Sequence, residues 1–205
     1  MASNIQIIDN YLHKDDFKRM QHWFYNECMW RFSSSPTYHE DAIEEVRKQG
    51  LGEDVDDDYQ FTCQFWTTSQ GIITPNFQNV APLIKKLSPA ILLRVKSNLT
   101  PMRSRIIERP YHIDMDLPNL AQKTAVFNIT TCDGYTRFED GDIVPSVENR
   151  MIIFDGNMKH GGTTTTNKKA RIVINVNYFP QTDKIMSIRN RRKDIEMNNN
   201  FQTLI

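Results

Sequence analysis

The sequence predicts a mainly β protein, a sandwich or barrel of the jelly-roll kind, with helices supplied by its N-terminal half. Three observations predict it. From Arg103 onward, short β-prone runs follow one another at 105–113, 124–130, 135–138, 151–154 and 171–179. Asp-Gly pairs at 133–134, 140–141 and 155–156 separate several of them, each suited to a turn that needs positive φ. Upstream, Leu12, Phe17, Met20, Trp23 and Phe24 recur at three- and four-residue spacing, the apolar stripe of an amphipathic helix.

Taken in order, Ile5 to Ile8 is an opening strand ended by Asp9-Asn10. Asp15 or Asp16 caps or charges the first turn of the helix that follows. Residues 33–58 are polar, from Ser33-Ser34-Ser35-Pro36 to the acidic run Glu53 to Asp58. We read them as a surface excursion with one short helix at 41–48, and as a candidate lid. Tyr59 to Trp66 alternates polar and apolar residues, as a strand does. Residues 80–95 return to helical spacing, divided by Pro89 at the start of a second helix. The last segment carries Arg189, Arg191, Arg192 and Lys193, the pattern of a solvated terminal helix or frayed tail. One domain results: helical support and lid over 1–102, a barrel core over 103–180 and a basic tail over 181–205.

Composition bounds the function. Of 205 residues 39% are hydrophobic, enough to bury a core without disulfides or a structural metal. The formal net charge is zero, so no global field steers the chain to nucleic acid or to an acidic membrane surface, and neither is an expected partner. Cys28, Cys63 and Cys132 form no CxxC and are odd in number, which points to a reducing compartment. No signal-peptide core and no run of roughly 18 apolar residues is present, so the expected location is cytoplasmic.

Five histidines leave few candidates for metal chemistry. His112 and Asp114 are two apart, so on a strand both project from one face while Ile113 points the other way. Asp116 shares that face and competes with Asp114 as the carboxylate. His160 follows the apolar run Met151 to Phe154 and completes a set of two histidines and one carboxylate. Three ligands on one face of an octahedral ion leave room for a bidentate keto acid and dioxygen. In the last β-prone run, Arg171, Val173, Asn175 and Asn177 share one face, and Ile172, Ile174, Val176 and Tyr178 the other. An inward Arg171 demands a carboxylate partner; an outward one merely reaches solvent.

The order and spacing of these residues resemble the Fe(II)/2-oxoglutarate-dependent dioxygenases, and most closely their prolyl-4-hydroxylase-like branch. The likeness covers residues 103–179 by motif: His112-Ile-Asp114, then His160, then Arg171 on the next strand. Between them, Ala125 to Thr130 stands where the family has an apolar strand, with Asn128 in place of a common tyrosine. Asp133-Gly-Tyr-Thr-Arg-Phe138 is similar to a GGxTxF turn and strand, with its first glycine replaced. Val144-Pro145, Asn149 to Phe154, the closing Asn177-Tyr-Phe179 and the entry Asp9-Asn-Tyr-Leu12 follow the same order.

The resemblance implies a double-stranded β-helix, a cupin-like jelly-roll barrel, with iron on His112, Asp114 and His160 and no further catalytic side chain. It implies 2-oxoglutarate as cosubstrate, its 5-carboxylate on Arg171, with Asn128, Asn175 and Thr136 completing the pocket, and O2 as oxidant. The implied reaction hydroxylates a substrate with release of succinate and CO2; a peptidyl proline, another protein side chain, a nucleobase or a metabolite would each suit the scaffold. The alternative from another class is a non-catalytic, metal-binding jelly-roll that serves as a binding module.

Overall fold

The computed structural model describes residues 5–34, 58–117 and 120–181. Along the chain run β1 (Gln6–Ile8), α1 (Lys14–Asn26), β2 (Arg31–Ser33), β3 (Gln60–Thr67) and β4 (Gly71–Ile72). A 3-10 turn (Pro75–Asn79), α2 (Ala81–Leu87) and β5 (Ile91–Pro101) follow. The second half is β6 (Lys123–Asn128), β7 (Tyr135–Phe138), β8 (Ile143–Pro145), β9 (Met151–Asp155), β10 (His160–Gly162) and β11 (Ala170–Phe179).

Among the described residues these strands form two antiparallel sheets. The larger has eight strands in the order β1-β9-β6-β11-β5-β3-β2, with β4 on β3. The smaller is β10-β7-β8, and the bridges His112↔His160 and Glu108↔Thr163 extend it by a fourth, irregular run. From β6 to β11 the chain crosses between the sheets four times, at β6/β7, β8/β9, β9/β10 and β10/β11, which wraps it into a barrel and leaves two layers of side chains to fill.

Strand alternation assigns those layers. Ile172, Ile174, Val176 and Tyr178 of β11, Ala125 and Phe127 of β6 and Val95 of β5 join Phe17, Met20, Trp23 and Phe24 of α1 in one apolar cluster outside the large sheet. Each fully buried aliphatic or aromatic side chain there contributes roughly 1.5–3 kcal/mol. The opposite face, between the sheets, holds a smaller cluster of Val126, Phe138, Val144, Ile152, Phe154 and Val173. Polar residues occupy the rest of that inner layer, and that is where the chemistry lies. The entry to α1 is fixed by Asn149, whose Oδ1 accepts from the Leu12 amide at 2.8 Å and whose Nδ2 donates to the Leu12 carbonyl at 3.0 Å.

Several expectations need correction. The helical spacing over 80–95 is realised only as α2; from Ile91 the chain is β5, a central strand. The run 105–113 is not a continuous strand but an extended segment touching its neighbour at Glu108 and His112, because Pro110 has no N–H to give a ladder. Of the three Asp-Gly glycines only Gly141 has positive φ, at 96°. Gly134 and Gly156 answer close approach instead: a Cβ on Gly134 would lie 2.6 Å from the Thr164 carbonyl oxygen, and one on Gly156 2.5 Å from Gln122 Cγ. The helix at 41–48, most of the candidate lid and the basic tail lie outside the described residues. No described helix is long and apolar enough to cross a membrane.

Candidate active site

His112 and His160 meet through the backbone before they meet through their rings. Each amide donates to the other's carbonyl, at 2.9 and 3.0 Å, so the two residues are a directly opposed antiparallel pair. The ring centroids stand 4.7 Å apart. The chain bends after Ile113 and carries Asp114 back to the same point. The ligand atoms of His112, Asp114 and His160 all lie within 4.8 Å of one another, and Asp116 is not in the cluster. Of the two competing carboxylates, the structure brings Asp114 to the histidines.

Protonation is set for metal binding. Nδ1 of His112 lies 3.3 Å from the Pro110 carbonyl and Nδ1 of His160 lies 3.1 Å from that of Met158. A carbonyl oxygen only accepts, so each Nδ1 holds the proton and each Nε2 keeps its lone pair. Burial pulls the His160 pKa down to about 4, which leaves the imidazole neutral at neutral pH. Phe154 packs against its ring at 4.7 Å between centroids and supplies much of that dry surface. Burial pushes the Asp114 carboxyl up, but its contact with His112 and the charges of Arg94 and His160 hold it well below the usual carboxylate range. His112 Nε2 stands 3.7 Å from Asp114 Oδ1, too long for a hydrogen bond and suited to two donors sharing one ion.

A second tier of residues aims the carboxylate. Asn177 donates through Nδ2 to Asp114 Oδ2 at 3.1 Å and to Thr124 Oγ1 at 3.1 Å, while its Oδ1 accepts from Arg94 Nε at 2.9 Å. Arg94 Nη2 in turn lies 2.8 Å from Asp114 Oδ1. Such outer partners fix a ligand's orientation and keep it ionised.

Arg171 enters the same cavity from further along β11. It is 4% exposed, and its guanidinium donates to Ser146 Oγ at 2.6 Å and to Thr136 Oγ1 at 3.0 Å. Both partners are neutral hydroxyls; no carboxylate pairs with it among the described residues. Burial, and repulsion from Arg109, lower its pKa to about 10, so it remains a cation. One cavity of about 390 Å³ is lined by His112, Asp114, His160, Thr136, Arg171 and Asn175 together.

No family model matches the chain, and no curated protein does. Solved structures do. A 2OG-Fe(II) oxygenase-family oxidoreductase from Burkholderia pseudomallei superposes with a TM-score of 0.56 at 7% identity, over 85% of each chain. A non-heme alpha-ketoglutarate-dependent epimerase, SnoN, from nogalamycin biosynthesis gives 0.54 at 11% identity, over 88% of this chain and 77% of that one. A prolyl hydroxylase from Trichoplax adhaerens, solved with a hypoxia inducible factor peptide, gives 0.51 at 14% identity, over 87% and 84%. The fold is the oxygenases' double-stranded β-helix.

On that double-stranded β-helix the remaining site residues fall as follows. Thr136 and Asn175 line the cavity, and the Asn175 Oδ1 is buried without a partner. Asn128 faces the barrel interior at the rung of Val173, but it does not line the cavity. Its Nδ2 donates to the Arg150 carbonyl at 3.3 Å, so Ser146 rather than Asn128 stands at the guanidinium. Sequence reasoning missed Ser146, which sits in no pattern, and Asn177, which strand alternation places on the Arg171 face. It also missed Arg94, hidden in a segment read as helix.

Proposed function

We propose that the protein is an Fe(II)- and 2-oxoglutarate-dependent oxygenase that hydroxylates an organic substrate. The observation that carries this reading is the pairing, in one cavity, of a two-histidine, one-carboxylate cluster with a buried arginine that has no carboxylate partner among the described residues. The residues fit both groups. His112 Nε2, His160 Nε2 and Asp114 would hold the metal, and Arg171, with Thr136 and Ser146 orienting its fork, would take the 5-carboxylate. Bound iron and 2-oxoglutarate supply oxidation by O2, with succinate and CO2 as coproducts. The chain does the rest. Arg94 and Asn177 keep Asp114 ionised and aimed, the two backbone carbonyls keep both histidines in the metal-binding tautomer, and Val126, Val173 and Phe154 keep water from the site. The fold shared with oxygenases supports the reading, and the arrangement of these side chains favours it over a binding module.

The test is anaerobic. Fe(II) should bind one per chain, and added 2-oxoglutarate should raise a weak visible charge-transfer band, because keto acid and metal become one chromophore. Iron bound with no such band would overturn the proposal.

A further inference from the structure

Among the described residues, four cationic side chains line the cavity, Arg94, Lys96, Arg109 and Arg171, against a single carboxylate, Asp114. Three have a partner or an assigned one. Arg109 forms a two-pronged pair with Asp58 at 2.7 and 3.0 Å and also donates to Gln60 and Thr100. Arg94 holds Asp114 and Asn177. Arg171 awaits the keto acid. Lys96 makes no hydrogen bond or ion pair with any described residue.

Its position is specific. Lys96 projects from β5 on the same face as Arg94 and Asn98, at the rung paired with Asn175 of β11. The Oδ1 atoms of Asn98 and Asn175, on either side of it, are both buried and unpaired. Amide groups can turn to present Nδ2 instead, so each is a donor available to the same ligand. Burial lowers the Lys96 pKa, as do Arg94 and Arg109; Asp114 opposes them from the metal cluster. Lys96 therefore lies within electrostatic reach of Asp114 and has no counter-charge of its own among the described residues. Once 2-oxoglutarate offsets the metal dication, and Asp114 and Asp58 offset Arg94 and Arg109, positive charge is still in excess. A partly buried ammonium without an anion is unfavourable.

We propose that the primary substrate is an acid, a molecule carrying a carboxylate or a phosphate, whose anionic group is received by Lys96 with Asn98 and Asn175 on the β5 wall beside the metal. This rests on the oxygenase reading, and it moves Asn175, which the resemblance gave to the cosubstrate pocket, to the substrate. Lys96 is a specificity residue in this account: it selects by charge.

The full chain is loaded with Co(II) and saturating 2-oxoglutarate without oxygen, and acetate and inorganic phosphate are titrated in as probes. Paramagnetic relaxation of the acetate methyl protons and of the phosphate phosphorus reports binding near the metal. In wild type at least one probe should saturate. Its affinity should fall at least about tenfold in Lys96→Met, the loss of a charge-assisted hydrogen bond, and recover in part in Lys96→Arg. Tighter acetate assigns a carboxylate substrate and tighter phosphate a phosphorylated one. The 2-oxoglutarate affinity of Lys96→Met should stay near wild type, with an unchanged thermal melt. No saturable probe in wild type, or equal relaxation in Lys96→Met, overturns the inference. So does a 2-oxoglutarate defect in Lys96→Met as large as that in Arg171→Ala, which would make Lys96 a cosubstrate residue. Failure of the oxygenase reading shows separately, as unimpaired 2-oxoglutarate binding in Arg171→Ala, and removes this inference with it.

Discussion

Arg171 carries its charge where water is excluded, with two hydroxyls to orient it and no carboxylate beside it among the described residues. Truncating it should leave the metal ligands untouched and strand the 5-carboxylate of the cosubstrate. Losing one member of a buried charge pair costs on the order of 3–5 kcal/mol. We expect 2-oxoglutarate affinity in Arg171→Ala to fall by about two to four decades, with Fe(II) affinity measured without keto acid near wild type. Arg171→Lys should recover only part, because an ammonium lacks the planar fork. The carboxylates offer a second contrast at this scale. Asp114 sits in the ligand cluster under Arg94 and Asn177, and Asp116 does not. Asp116→Asn should therefore keep iron and turnover, whereas Asp114→Asn should lose both by metal titration and product assay. The reverse pattern would require a different bend after Ile113.

The strands decide which side chains reach that space. β11 was legible in the sequence because its apolar face and its Arg171, Val173, Asn175, Asn177 face alternate without a break. β5 alternates from Leu93 to Lys96 before Ser97 puts a polar residue on its apolar face, and its first residues fall in a window whose spacing also fits a helix. That overlap hid Arg94 and obscured the strand that carries Lys96, two cations of the cavity wall. Turns were legible as turns, though not for the right reason at 134. Gly134 is bare because the Thr164 carbonyl and the Arg171 Cδ occupy the place of a Cβ, at 2.6 and 2.7 Å. Gly134→Ala should push Arg171 out of line. Overpacking of this kind costs about 1–3 kcal/mol of stability, to be read from a urea melt. Weaker 2-oxoglutarate binding with normal Fe(II) binding should accompany it. Unchanged cosubstrate affinity would mean that the backbone, not Arg171, yields to the new methyl.

At the scale of the whole molecule, the buried site makes metal-free stability depend on pH. His160 has a folded pKa of about 4 against an ordinary 6.5. Between those values the unfolded chain binds a proton that the native state refuses, so stability falls as pH drops through that window and levels off below it. The His160 contribution is up to about 3 kcal/mol. Asp114, held below its ordinary value, acts in the same direction at lower pH. Urea melts in chelator at about pH 7 and about pH 4.5 should show the loss, and His160→Gln should flatten it. An equally steep loss in His160→Gln would assign the titration to another group. The barrel itself was readable from turn spacing and strand runs, and the candidate ligand set from the scarcity of histidine and the two-residue spacing of His112 and Asp114. Unreadable were the contacts made only on closure, such as Ser146 on Arg171, because nothing local in a chain records a partner 25 residues away. The opposed pair of His112 and His160 has one more consequence, for changes in chain length. Both imidazoles face one point only because the two backbones are in that register, and a slip of one residue turns a side chain to the other face. Lengthening the turn at 139–142 leaves the register intact. Deleting one residue at Tyr111 or Lys159 would carry an imidazole to the far side, so length variation among descendants of this sequence should spare the bridge and collect in the turns.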